Sequence, residues 1–251
     1  MADERLTLAR TFDTVAELYD RARPSYPPQV FDDLAELASL EPGARVVEIG
    51  PGTGQATRDL VARGYRITAL EPGTALADVA RRNVPEATIV GTTFETWEPD
   101  GEYDAVVAFT AWHWVDPALR YRKAAALARA VAVIGTHHVH PADGDPFFAE
   151  IQDVYEEIGE GRAPPQPPET VGDLRDEIEL TGDFVHAGTR RHLWAHEYTA
   201  DEYIAVLETY SGHRTMAPAV REHLYAEIRR RVGDRTIRKH YLTSIDVGLR
   251  R

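Results

Sequence analysis

Residues Arg45–Leu60 read RVVEIGPGTGQATRDL, and the fold follows from this stretch. Val46, Val47 and Ile49 make the short apolar run that a buried parallel strand needs. Gly50, Gly52 and Gly54 then form a turn with no Cβ to hold a ligand away from the backbone. Thr53 and the residues after it begin a helix, whose first amides are free to face a bound polar group. Strand, glycine turn and helix in this order open a nucleoside-binding α/β unit.

A second signal follows at a suitable distance. Arg66–Leu70 reads as another strand, with Glu71 at its C-terminal end, where an acid can accept hydrogen bonds from both hydroxyls of a ribose. Two nucleoside cofactors compete for this pattern. The glycines run G-x-G-x-G and not G-x-G-x-x-G, and Glu48 stands two residues before the first of them. Neither feature belongs to the nicotinamide-dinucleotide fingerprint. The stretch resembles motif I of the class I S-adenosylmethionine-dependent methyltransferases. That resemblance implies a Rossmann-like α/β fold, a seven-stranded, mostly parallel sheet with helices on both faces. It also implies S-adenosyl-L-methionine as cofactor, with the glycine loop and Glu48 at its methionine end and Glu71 on its ribose. The alternatives are a cofactor-binding regulatory protein without catalysis, and an NAD-dependent oxidoreductase.

Composition narrows the partners. The chain of 251 residues can bury one full core, so a single domain over 1–251 is expected. It has no cysteine, which removes disulfides, thiolate metal sites and cysteine nucleophiles. MADERLTLAR is charged and lacks an apolar core, and the apolar run at Ala124–Ile134 is too short for a bilayer. A cytoplasmic protein without membrane contact is expected, as monomer or homodimer. A formal charge of -13 disfavours nucleic acid. The basic residues of Ser211–Arg251 are expected to dock on the acidic body. Arginine is abundant, whereas lysine occurs only at Lys123 and Lys239.

The N-terminal stretch FDTVAELYDRARPSYP spaces Phe12, Ala16 and Tyr19 as one helix face, which Arg23-Pro24 ends. It resembles the N-terminal signature of small-molecule methyltransferases in the trans-aconitate and quinone-biosynthesis branch. The resemblance implies that residues 1–27 cover the cofactor, with Tyr19 and Arg23 on its methionine carboxylate. It also places Pro72, Thr93, Phe94, Glu95, Phe109 and Thr110 around the cofactor, the threonine–phenylalanine–glutamate run near adenine. Helices are predicted from Pro28 and over 74–82, and strands at 87–90 and 103–109.

After Phe109 comes TAWHWVDP, where Asp116-Pro117 starts a helix. The end of this strand adjoins the topological switch point, where ligands bind. Trp112 and His113 are expected to face the acceptor, and Trp114 to anchor the helix. His113 is the first candidate general base and His138 the second. LARAVAVIGTHHVH has no glycine before Gly135, so the turn into the fifth strand must be shortened or reshaped. His138 and His140 would share a face with His137 opposite; no acid completes a metal site, and none is expected. Residues 141–183 form a helical insertion, predicted to cap the pocket through Phe147 and to contain a second helix over 171–180. A strand over 192–198, a capping box at Thr199 and Glu202, a helix through Val220–Val232 and a closing antiparallel strand over 241–247 complete the chain. The acceptor, a small aromatic or apolar molecule, is expected among Tyr26, Trp112, His113, His138, Phe147, Tyr210 and His213.

Overall fold

The computed structural model describes residues 15–161 and 164–251; Phe12 lies outside them. Seven strands form one sheet in the order β3-β2-β1-β4-β5-β7-β6. They are β1 (Arg45–Ile49), β2 (Arg66–Leu70), β3 (Thr88–Val90), β4 (Tyr103–Phe109), β5 (Ala128–Val139), β6 (Phe184–Tyr198) and β7 (Ile237–Arg250). Strands β1 to β5 pair in parallel, and β7 runs antiparallel between β5 and β6.

Eleven α-helices lie among the described residues. The first four are α1 (Ala16–Ala22), α2 (Pro28–Leu37), α3 (Gln55–Ala62) and α4 (Thr74–Asn83). Next come α5 (Arg120–Leu127), α6 (Phe147–Glu150), α7 (Gln152–Glu157) and α8 (Arg175–Glu179). The last are α9 (Ala200–Leu207), α10 (Ser211–Thr215) and α11 (Pro218–Val232). One sheet face packs Val30, Phe31 and Leu34 of α2 on Val46, Val107, Ile134 and Ile245. The other face packs Phe94, Tyr121, Ile178 and Phe184 on Val47, Val106 and Val131. Thr199 closes the expected capping box with Glu202 at the start of α9.

Three features of the sheet matter for the site, the first of them expected. The turn before β5 is shortened to nothing: Leu127 ends α5 and Ala128 begins the strand. β5 then overshoots β4, since Phe109 pairs with Ile134 while Gly135 to Val139 pair with β7 alone. β6 and β7 are longer than predicted, because Gly188 and a run of polar residues on an edge strand break the alternation that marks a strand in sequence.

Among its described residues, the insertion contributes none to the cleft lining. Phe147, Phe148, Ile151 and Val154 are buried with α9, α11 and Tyr241 in a third apolar cluster. Further on, Val171 packs against Val139 and Leu242, and Ile178 reaches the opposite face of the sheet. The segment therefore crosses the sheet as a strap. Its second helix shrinks to five residues, because Asp173 caps a tight turn by accepting the Arg175 amide at 3.1 Å. The basic C-terminal region docks on acidic partners, with Arg229 on Asp201, Arg231 on Asp153 and Arg235 on Asp145.

Candidate active site

The cleft opens at the C-terminal ends of β1, β2 and β4, where strand order reverses. Its lining includes Tyr19 and Arg23 of the N-terminal segment, Gly50 and Gly52 of the glycine turn, and Glu71 and Pro72 after β2. Thr93, Phe94 and Glu95 border it beyond β3, and Phe109, Thr110, Ala111, His113, Trp114 and Val115 beyond β4. The turn is tight for a reason. A Cβ at Gly50 would stand 2.7 Å from the Ala111 Cβ, so glycine lets the β1 and β4 exits touch. Gly52 adopts φ 58 beneath the Tyr19 ring.

Glu71 fastens this turn. One carboxylate oxygen accepts the Gly52 amide at 3.0 Å and the other accepts the Gly73 amide at 2.9 Å. Glu48 differs from expectation: it is fully buried beneath the turn, outside the cleft lining. Thr57 donates to one of its oxygens at 2.7 Å, and the other has no partner among the described residues. Burial raises its carboxyl to about 7, with Glu71 adding to the rise and Thr57 opposing it. Gly54 lies off the cleft, packed against Val84 and Ala80.

The β4 exit forms the far wall. Thr110 carries φ 55, a left-handed backbone unusual for a β-branched residue, and its hydroxyl meets the Tyr26 hydroxyl at 3.2 Å. No sequence signal marked that strain. The two tryptophans exchange their expected places. Trp112 is buried against Tyr121, ring centres 5.1 Å apart, and anchors the helix side, whereas Trp114 lines the cleft. A 3-10 turn over Trp112–Trp114 causes this, because three residues per turn rotate Trp114 away from the face that Trp112 buries. His113 lines the cleft next to Trp114, and burial together with Arg120 lowers its imidazole below the ordinary range.

Other expected acceptor residues stand apart from this lining. His138 projects from the β5 overhang against Phe148 and Tyr241; burial, then the Lys239 charge, pushes it down to about 2. It is a poor proton acceptor there. Phe147 is wholly buried in the third cluster. Tyr26 packs edge-on to Phe109 behind Thr110, and His213 accepts or donates a hydrogen bond with the Tyr155 hydroxyl at 2.8 Å. Tyr210 lies beyond Arg23, whose guanidinium spans 4.2 Å to its ring centre. Among the described residues, no group of three or more metal-ligating side chains is assembled, and no helix is long and apolar enough to cross a membrane.

A sheet of this order, with a glycine turn after β1 and a buried acid after β2, defines the class I methyltransferase architecture. The residues present fit S-adenosylmethionine. The turn leaves backbone bare where a Cβ would collide, and Glu71 would hold the ribose hydroxyls, with Thr93, Phe94 and Glu95 bordering the base. Comparison with known proteins agrees. A family model described as a methyltransferase domain matches residues 47–159. Uncharacterized methyltransferases of Mycobacterium tuberculosis and Mycobacterium bovis are 29% identical over 230 residues, covering 91% of this chain and 88% of theirs. A solved protein assigned as a type II methyltransferase of Anaeromyxobacter dehalogenans superposes with a TM-score of 0.62 at 21% identity, over 90% of this chain and 97% of that one. An S-adenosylmethionine-dependent methyltransferase of Thiobacillus denitrificans, solved with S-adenosyl-L-homocysteine, gives 0.53 at 13% identity, over 93% and 96%. Residues 47–159 thus match a methyltransferase domain on a sheet of class I architecture, and the chain over most of its length is similar to S-adenosylmethionine-dependent methyltransferases.

Proposed function

We propose that the chain methylates an O, N or C nucleophile of a small, largely apolar molecule, aromatic acceptors foremost. The observation that carries this reading is the wall beyond β4. Phe109, Trp114 and Val115 present apolar surface at the switch point, with His113 and Thr110 as its polar members. Such a lining suits a small ring and offers a nucleic acid no cationic track.

When bound, the cofactor supplies an electrophilic methyl carbon on a sulfonium. The protein's work is alignment and exclusion of water. Glu71 and the glycine turn fix one side of the cleft, while Trp114 and Phe109 shield the other. Tyr26 pins Thr110 in its strained conformation. His113 has no hydrogen-bond partner among the described residues to orient its ring, so it serves better as wall than as base. The test is transfer of a labelled methyl group from S-adenosylmethionine to a panel of small aromatic and aliphatic acceptors. Turnover confined to macromolecular acceptors would overturn the small-molecule reading.

A further inference from the structure

The cleft wall beyond β4 is fastened from behind at two points. Arg120, the first residue of α5, donates through Nη1 to the Trp112 carbonyl at 3.1 Å. That same oxygen accepts the Val115 amide at 3.2 Å, a bond that closes the 3-10 turn. Further along, the Asp116 amide donates to a Glu95 carboxylate oxygen at 2.9 Å. His113, Trp114 and Val115, all in the cleft lining, are the residues between these fastenings.

The first fastening depends on the strap. Glu177 of α8 accepts the Arg120 Nη2–H at 2.6 Å and, on the same oxygen, the Tyr121 hydroxyl at 2.7 Å. Successive residues of α5 thus converge on one carboxylate. The Arg120 side chain is only 12% exposed, and its guanidinium lies 5.6 Å from the ring centres of both Trp112 and Tyr121. Glu177 balances this charge. A largely buried guanidinium deprived of its counter-charge is drawn toward water. Here it would swing off the Trp112 carbonyl and free one end of the turn. Arginine suits the place, because its planar fork reaches a carboxylate with one arm and a carbonyl with the other.

We propose that Glu177 and Arg120 are positioning residues for the methyl transfer: the strap, through this pair, sets the wall that faces the acceptor before any ligand arrives. This rests on the methyltransferase reading of the cleft. The insertion then serves the site without entering it. Its described residues add nothing to the lining, yet its α8 steadies the backbone that presents His113 and Trp114. The lowering of the His113 imidazole, by burial and then by the Arg120 charge, agrees with a guanidinium fixed close behind that wall.

The experiment compares the full chain with Glu177→Gln, Arg120→Met and Glu179→Gln. Glu179 also ties the strap to the sheet, but on β6, where it accepts the His186 amide at 3.0 Å. It controls for a general loosening of the strap. Hydrogen exchange at the Trp114 and Val115 amides, which close the 3-10 turn, should quicken in the first two variants and keep the parent's rate in the third. Calorimetry should show S-adenosylhomocysteine binding weakened about 5- to 100-fold in the same two, because binding must then order the side chains of the wall. Saturating S-adenosylhomocysteine should bring their exchange back toward the parent's. Arg120→Lys, which keeps the charge but not the fork, serves if the methionine variant fails to fold, and should lie between. Unchanged exchange or unchanged affinity in Glu177→Gln overturns the proposal, as does equal loosening in Glu179→Gln. Loss of S-adenosylhomocysteine binding by the parent chain would instead strike the cofactor reading, while the exchange comparison still decides the fastening.

Discussion

Glu71 accepts the amide of Gly52 at 3.0 Å, so the acid that ends β2 also holds the turn that ends β1. Ribose recognition and loop geometry therefore depend on one side chain. Glu71→Ala is expected to weaken S-adenosylhomocysteine binding by roughly 1.5–3 kcal/mol through the lost charge-assisted contacts. Glu71→Gln should fall between, since its amide oxygen can accept one of the two glycine amides. Calorimetry on the three proteins checks the order; equal affinities would remove Glu71 from the site.

Glu48 makes stability depend on pH. Its folded-state carboxyl lies at about 7, above its ordinary value of 4.5. The folded protein thus binds the proton more tightly than the unfolded chain, and stability should fall as pH rises from about 4.5 to 7. The shift corresponds to about 3 kcal/mol at full deprotonation. Glu48→Gln should flatten this slope and gain stability at pH 8, read from urea unfolding at pH 5 and pH 8. A parallel loss in both proteins would assign the slope to other groups.

The exchanged tryptophans separate stability from binding. Trp112→Ala should cost about 3–5 kcal/mol of folding stability, because Trp112 is buried against Tyr121. Trp114→Ala should cost far less and instead weaken cofactor or acceptor binding. Thermal unfolding with calorimetry distinguishes the two, and a reversed pattern would restore the order expected from sequence.

His113→Ala is expected to fall short of the about 10²–10⁴-fold rate loss that removal of a proton-transfer group causes. A loss of that size, with the pH profile altered, would make His113 the base.

The insertion should exchange its amides as two parts. Phe147 to Glu157 belong to the cluster with α9 and α11, and Ile178 to the opposite sheet face. Hydrogen exchange over 147–157 should not change when S-adenosylhomocysteine binds. Strong added protection there would revive the lid expected from sequence.

The sequence was most legible where one residue type meets one backbone need. The glycine turn, Glu71, the capping box at Thr199 and the antiparallel closing strand all follow from local chemistry. The acceptor side was less legible because its geometry is set at a distance. Whether Trp112 or Trp114 faces the cleft depends on a 3-10 turn. His138 left the site because β5 outruns β4, and Phe147 because the insertion found a core with α11. Lys239 stands out in the sequence only as one of two lysines in an arginine-rich chain, and tertiary packing alone sets it against Tyr210.

The direct passage from Leu127 into Ala128 leaves no slack between α5 and β5. Every side chain on the β5 overhang is therefore counted from the last turn of that helix. One residue added or removed at the junction would be absorbed by a slip of the strand, and a slip of one exchanges its two faces. Thr136 and His138 would turn away from the Tyr241 side, and His137 would turn toward it. The packing between β5 and its neighbour β7 is thus set by chain length at a junction remote from both the overhang and the cleft.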